Sequence, residues 1–124
     1  MGEQRTGNGR AEVNDRQATG RRSTDRPLTE RAIAADVRTL ATLGNDTRYE
    51  ALRRIAEADD AVCVCELEPT LGVSQGAVSQ ALSRLFSAGL VERRKEGRWR
   101  YYTTTPRADR LLRVLDDTRS LDDD

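Results

Sequence analysis

Leu71-Gly72-Val73-Ser74-Gln75-Gly76-Ala77-Val78-Ser79-Gln80-Ala81-Leu82-Ser83-Arg84-Leu85 is the stretch on which the fold turns. Ser74 is a natural N-cap, because its hydroxyl can accept from a backbone N–H left open at a helix start. Val78, Leu82 and Leu85 then recur at i, i+4 and i+7, the spacing of one buried helical face. Gly89 supplies the left-handed residue that ends a helix reaching about Ala88. The opposite face presents Ser74, Gln75, Ser79, Gln80, Ser83 and Arg84, and the small residues Gly76 and Ala77 allow close backbone approach. Gln and Ser can bond base edges in a major groove, and Arg can reach guanine or phosphate. Taken alone, a Ser/Gln-rich face is more commonly a solvated surface.

The flanking segments decide between these readings. Cys65 to Leu71 reads as a short helix, and Leu71-Gly72-Val73-Ser74 as a tight turn, so the two helices match a helix-turn-helix. Upstream, order is expected from Thr29. Ile33, Val37, Leu40 and Ala41 mark a first helix stopped by Gly44. Asn45 or Asp46 caps a second, with Tyr49, Leu52, Ile55 and Ala56 as its stripe and Asp59-Asp60 at its end. After Gly89 the period changes. Leu90 to Arg94 and Trp99 to Thr104 read as strands joined around Lys95-Glu96-Gly97-Arg98, with Gly97 supplying the turn conformation. Trp99 and Tyr101 share one face and Tyr102 takes the other, so at least one ring is expected to pack the hairpin onto the core. Pro106 breaks the second strand, and a last helix from about Arg107 carries Leu111, Leu112, Val114 and Leu115. The order predicts a mainly α protein with a β-hairpin wing, a winged helix-turn-helix. Residues 1–28 read as a disordered N-terminal arm, 29–118 as the folded domain and 119–124 as an acidic tail.

The 124 residues carry 21 basic and 21 acidic side chains, a formal net charge of zero. A DNA-binding surface on such a chain requires clustered cations. Arg93, Arg94, Lys95, Arg98 and Arg100 form that cluster, opposed only by Glu96, and a hairpin tip so charged suits phosphates. A charged hairpin alone can serve to resist edge aggregation, but a polar helix followed at once by a basic hairpin is much less common by chance. The expected partner is double-stranded DNA, with Ser74, Gln75, Ala77, Ser79, Gln80 and Arg84 at the bases and the five wing cations on the backbone. No apolar run approaches membrane-spanning length and no signal-peptide stretch is visible, so a cytoplasmic location without a membrane partner is expected. A chain this short buries one small core, which favours a dimer interface as a further source of stability. No catalytic constellation is visible, and an enzyme is not expected.

Cys63 and Cys65 are the only cysteines, and the chain has no His. Two residues apart, they close almost no loop and make a poor structural disulfide. Thiolates are soft ligands that favour thiophilic ions such as trivalent arsenic or antimony, Cu(I), Zn or Cd. A Cys/His zinc site is excluded, and two thiolates are too few for a four-coordinate structural zinc. Trivalent arsenic or antimony takes at most three thiolates, so two suffice if water or a small thiol fills the third place. On an α-helix, i and i+2 point to nearly opposite sides, so one ion holds both sulfurs only if the turn unwinds or lies ahead of the helix. A helix N-terminus is expected to lower the thiol pKa. Two other readings stand beside this one: small buried hydrophobes in the run Ala61-Val62-Cys63-Val64-Cys65, and a redox switch. A thiol oxidoreductase or interaction module is a reading from another class, disfavoured by the absence of His and of a thioredoxin-like βαβ pattern.

Taken together, the motifs resemble the arsenic-repressor (ArsR/SmtB) family of winged-helix metal sensors. Leu43-Gly44-Asn45-Asp46-Thr47-Arg48 is similar to the family's start of the second helix, and Cys63-Val64-Cys65-Glu66-Leu67 to its Cys-Val-Cys-Asp-Leu metal box. Ser74-Gln75 through Leu85 and Gly89-Leu90-Val91 resemble its reading helix, and Lys95-Glu96-Gly97-Arg98-Trp99 through Tyr102 its wing. The resemblance covers about residues 32–116. It implies a homodimeric repressor whose apo form binds an operator and whose metalloid-bound form is released. It also implies a dimer interface on the first and last helices, at Ile33, Val37, Leu40, Leu111, Leu112 and Leu115. Glu68 stands where arsenic sensors often carry a third cysteine, the arm has no cysteine, and Ala81 replaces a common His. These departures disfavour zinc, nickel and cadmium. They leave As(III) or Sb(III) as the expected effector on Cys63 and Cys65, with no permanently bound cofactor.

Overall fold

Helices form where caps and apolar stripes coincide. The computed structural model describes residues 28–122. Its elements are α1 (Glu30–Leu43), α2 (Asp46–Glu57), β1 (Val62–Cys63), α3 (Val64–Leu71), α4 (Gln75–Ser87), β2 (Val91–Glu96), β3 (Trp99–Thr104) and α5 (Pro106–Asp122). This is a winged helix-turn-helix, mainly α with a small antiparallel sheet. The expected arm lies outside the described residues apart from Leu28. No described helix is long and apolar enough to cross a membrane.

The described residues divide within α1 into two units, with the boundary between Ala34 and Ala35. In the first, Thr29 Oγ accepts from the Ala32 N–H at 3.0 Å and opens α1. α2, α4 and α5, all in the second unit, start on caps of the same kind. Asn45 Oδ1 accepts from Arg48 N at 2.9 Å, and Ser74 Oγ from Ala77 N at 3.1 Å. Thr105 Oγ accepts from Ala108 N at 3.2 Å, with Pro106 in the first helical position where no N–H is needed. Arg48 also reaches back to the end of α1: Nε donates to Thr42 O at 2.9 Å and Nη2 to Ala41 O at 3.3 Å, which the Gly44 N–H also reaches.

The expected stripes make the core. Leu52, Val78, Leu82, Leu85 and Leu90 are fully buried, and Ile55, Leu67, Val91 and Tyr102 pack with them. Tyr102 is the ring that fixes the wing to the core, while Trp99 stays exposed. Two ties hold α5 in place. Arg53 makes a forked pair with Asp116, at 3.2 and 2.6 Å. Arg107 donates to Ala88 O at 3.3 Å and to Thr39 Oγ at 2.8 Å. The Arg53 guanidinium, as a hydrogen-bond donor, holds the Asp116 carboxyl below the usual carboxylate range.

Several elements differ from expectation. The hairpin is part of a three-stranded sheet of order β1-β3-β2, because Val62 pairs with Tyr102 and Cys63 with Tyr101. A two-residue strand is too short to show alternation, and its partner lies far along the chain. α3 starts at Val64 rather than Cys65, and β2 continues through Lys95 and Glu96, leaving Gly97-Arg98 as the turn. α5 runs to Asp122, past residue 118. Leu112, expected at a dimer interface, is 4% exposed and sits in its own chain's core, with Leu111 partly buried against it.

The second-unit part of α1 has an inverted face. Its buried residues are Thr39 and Thr42. Their hydroxyls donate to Ala35 O at 3.1 Å and Arg38 O at 2.8 Å, which makes burial tolerable. Val37 and Leu40 are instead 58% and 68% exposed.

Candidate nucleic-acid interface and thiol pair

α4 is two-faced, as the spacing predicts. Val78, Ala81, Leu82 and Leu85 are buried, while Ser74, Gln75, Ser79, Gln80, Ser83 and Arg84 are exposed and Ala77 is half-buried. The Ser74 hydroxyl accepts the Ala77 N–H as a cap, which leaves its own proton to donate outward. Gly72, at φ 69°, closes α3 in the left-handed conformation and turns the chain into α4. Gly97, at φ 63°, does the same for the wing tip.

The wing cations occupy unlike settings. Arg94 Nε donates to Glu96 Oε2 at 2.9 Å, and its guanidinium lies 5.5 Å from the centre of the cross-strand Tyr101 ring. Arg93 stacks over Phe86 of α4 at 4.0 Å, which braces the wing against the reading helix. Lys95 and Arg100 are directly opposed across the hairpin. Like charges in that position are destabilising, and an anion bound between them removes the cost. Arg98 occupies the turn. Arg98→Ala is therefore expected to weaken DNA binding and lower its salt slope by about one. Arg94→Ala should change both less, because Glu96 already neutralises Arg94. Operator titrations at several salt concentrations check this; equal effects would break the division.

The cysteines occupy unlike environments. Cys63 is 3% exposed and ends β1; Cys65 is exposed in the first turn of α3. Cys63 Sγ accepts from the Cys65 N–H at 3.2 Å and so caps α3. The expectation of a lowered thiol pKa fails at Cys65. Its hydrogen bond with Cys63 pushes the thiol up, helped by desolvation and by the proximity of Cys63 and Glu66. α3 is also weakly held: it has eight residues, and Pro69 within it cannot donate to the Cys65 carbonyl.

A cavity of about 440 Å³ joins the two parts of the site. Cys63 and Cys65 line it together with Gln75 and Ser79 of α4 and with Lys95 and Trp99 of the wing. Sequence reasoning placed the thiols and the DNA-reading face separately. Their meeting depends on β1 pairing with β3, which no local pattern announces. Among the described residues no group of three or more His, Cys, Asp and Glu side chains converges as a metal site. The chain's only cysteines are this pair, one buried and one exposed, and two thiols are the most it can offer a thiophilic ion.

A family model described as "Bacterial regulatory protein, arsR family" matches residues 45–93, from the cap of α2 to the first half of the wing. A putative arsenical resistance operon repressor from Halobacterium salinarum is 67% identical over 88 residues, covering 71% of this chain and 74% of the relative. The structure of HlyU from Vibrio cholerae superposes with a TM-score of 0.63 at 31% identity, covering 73% of this chain and 97% of that one. The homodimeric winged helix-turn-helix DNA-binding domain of a possible ArsR-family regulator from Mycobacterium bovis gives a TM-score of 0.68 at 23% identity, covering 80% and 91%. By the extent of these matches the chain belongs to the arsR family of winged helix-turn-helix transcription regulators, DNA-binding proteins rather than enzymes.

Proposed function

We propose that this regulator is a homodimeric repressor that leaves its operator when Cys63 and Cys65 capture trivalent arsenic or antimony. The observation that carries the reading is the position of Cys63. Its sulfur is a candidate ligand, it caps α3, and its backbone pairs with the wing strand at Tyr101. Drawing that sulfur onto an ion takes the cap from a short helix that already lacks one internal hydrogen bond at Pro69. α3 and α4 share the core through Leu67, Val78 and Leu82, so a shift of α3 reaches the reading helix. The same event reaches the wing through the β1–β3 ladder.

The chemistry balances without an oxidant. Two As–S bonds form, two As–O bonds of arsenite break, and the two thiol protons leave in two water molecules. The third position keeps a hydroxyl or takes a small thiol; the carboxylates of Glu66 and Glu68 are hard ligands that suit arsenic poorly. The name of the Halobacterium salinarum relative, an arsenical resistance operon repressor, supports this effector class.

The inverted face of α1 supports the dimer. Val37 and Leu40 on α1 and Val114 and Leu115 on α5 are large exposed apolar residues. Such a set marks a protein interface better than it marks a monomer's surface. Two reading helices related by a two-fold axis would then meet successive major-groove faces of a pseudo-palindrome.

The test is fluorescence anisotropy of the reduced protein on its own upstream DNA, titrated with arsenite. Release near one arsenite per chain is expected. Tight binding that arsenite leaves unchanged would remove the sensing role. Release by peroxide alone, restored by a reductant, would replace it with a redox switch.

A further inference from the structure

We infer that operator DNA and the ligand of the thiol pair compete for one surface, so that each excludes the other by occupying the same cavity. This rests on the DNA face of the proposed function and goes beyond the loss of the α3 cap. The cavity of about 440 Å³ is walled on one side by Cys63 and Cys65, on another by Gln75 and Ser79, and on a third by Lys95 and Trp99. Gln75 and Ser79 are exposed residues of the reading face, and Lys95 is a wing cation opposed to Arg100. A duplex seated on α4 and the wing therefore roofs this cavity, and its backbone lies over the Cys65 thiol. Of the two thiols only Cys65 is exposed, so it is the one the duplex covers. Trp99, half exposed in the same wall, extends the surface that a group carried on Cys65 would displace from DNA.

The relation is reciprocal by necessity. A ligand that blocks operator binding through shared space is blocked by the operator to the same degree. It also differs from cap loss in an observable way, because it acts through the size of what sits on Cys65 and needs no bond to Cys63.

The experiment uses the full-length reduced protein and no metalloid. Iodoacetamide alkylates Cys65: its thiolate sulfur forms a bond to carbon and iodide leaves. The rate is followed by peptide mass spectrometry, free and with saturating operator DNA, with occupancy read by anisotropy in the same tube. Protection of at least about tenfold on the operator is expected, and an unchanged rate at full occupancy overturns the inference. In a second arm Cys65 carries either a methylthio group, from methyl methanethiosulfonate with loss of methanesulfinate, or a bulky maleimide adduct formed by addition of the thiol across the ring double bond. The methylthio group should already weaken operator binding, and the bulky adduct should abolish it. Equal effects of the two also overturn the inference. Both arms stand even if arsenite proves not to be the effector, whereas a chain that binds no operator at all sinks the proposed function and this inference together.

Discussion

Cys65→Ser protein bound to operator DNA is expected to stay bound at arsenite concentrations that fully release the wild type. The expected shift in half-release is about 10²–10⁴-fold, the loss when a chelate becomes a single attachment. The substitution leaves the scaffold nearly untouched: Cys65 is exposed, and its backbone N–H, which donates to Cys63 Sγ at 3.2 Å, remains. Cys63→Ser is the harsher test, because Cys63 is 3% exposed. Serine, however, is among the preferred N-cap residues, so it can accept the same N–H. Cys63→Ser is therefore expected to fold, bind the operator and lose the arsenite response. Circular dichroism and operator affinity must be read beside the titration. A variant that responds normally would place the effector site elsewhere, and one that no longer binds DNA would make the thiols structural.

How much of this was legible in the sequence follows from the range of the interactions involved. α4 was readable because everything that defines it is local. Ser74 caps it, Val78, Leu82 and Leu85 face one way, and Gly89 follows at φ 75°. The wing was readable for the same reason, since Gly97 and the alternation of Trp99, Tyr101 and Tyr102 lie within a few residues. β1 was not. Val62 and Cys63 become a strand only through pairing with Tyr102 and Tyr101, and that pairing is what brings the thiols beside α4 and the wing. The direction of the Cys65 pKa was missed because a generic helix-terminus argument ignored the second thiol two residues away, which dominates. The burial of Leu112 in its own chain's core was not legible, because spacing along α5 says which residues share a face but not what covers it. The pairing of Arg94 with Glu96 was equally hidden, so five wing cations looked equivalent when they are not.

α1 is where local spacing and structure meet most usefully, and it sets the second large expectation. Val37 and Leu40 recur at helical spacing and the resemblance implies a dimer interface for them; the second unit buries Thr39 and Thr42 and leaves Leu40 68% exposed. A helix whose polar side faces its own chain and whose apolar side faces outward is stable in water only with a partner on that side. Leu40→Asp is expected to convert the protein to a monomer at micromolar concentration. Burial of one Leu contributes about 1.5–3 kcal/mol, and a two-fold interface contains the residue twice. The loss is then roughly 3–6 kcal/mol, about 10²–10⁴ in the dimer dissociation constant, before counting the cost of desolvating two carboxylates. Because Leu40 is absent from the chain's own core, the helical content of the monomer should be preserved, and sedimentation equilibrium beside circular dichroism separates dissociation from unfolding. Operator affinity should fall with the dimer, since a lone reading helix grips only one half-site. A Leu40→Asp protein that remains dimeric and keeps its operator affinity would move the interface away from α1 and leave the inverted face without a role in assembly.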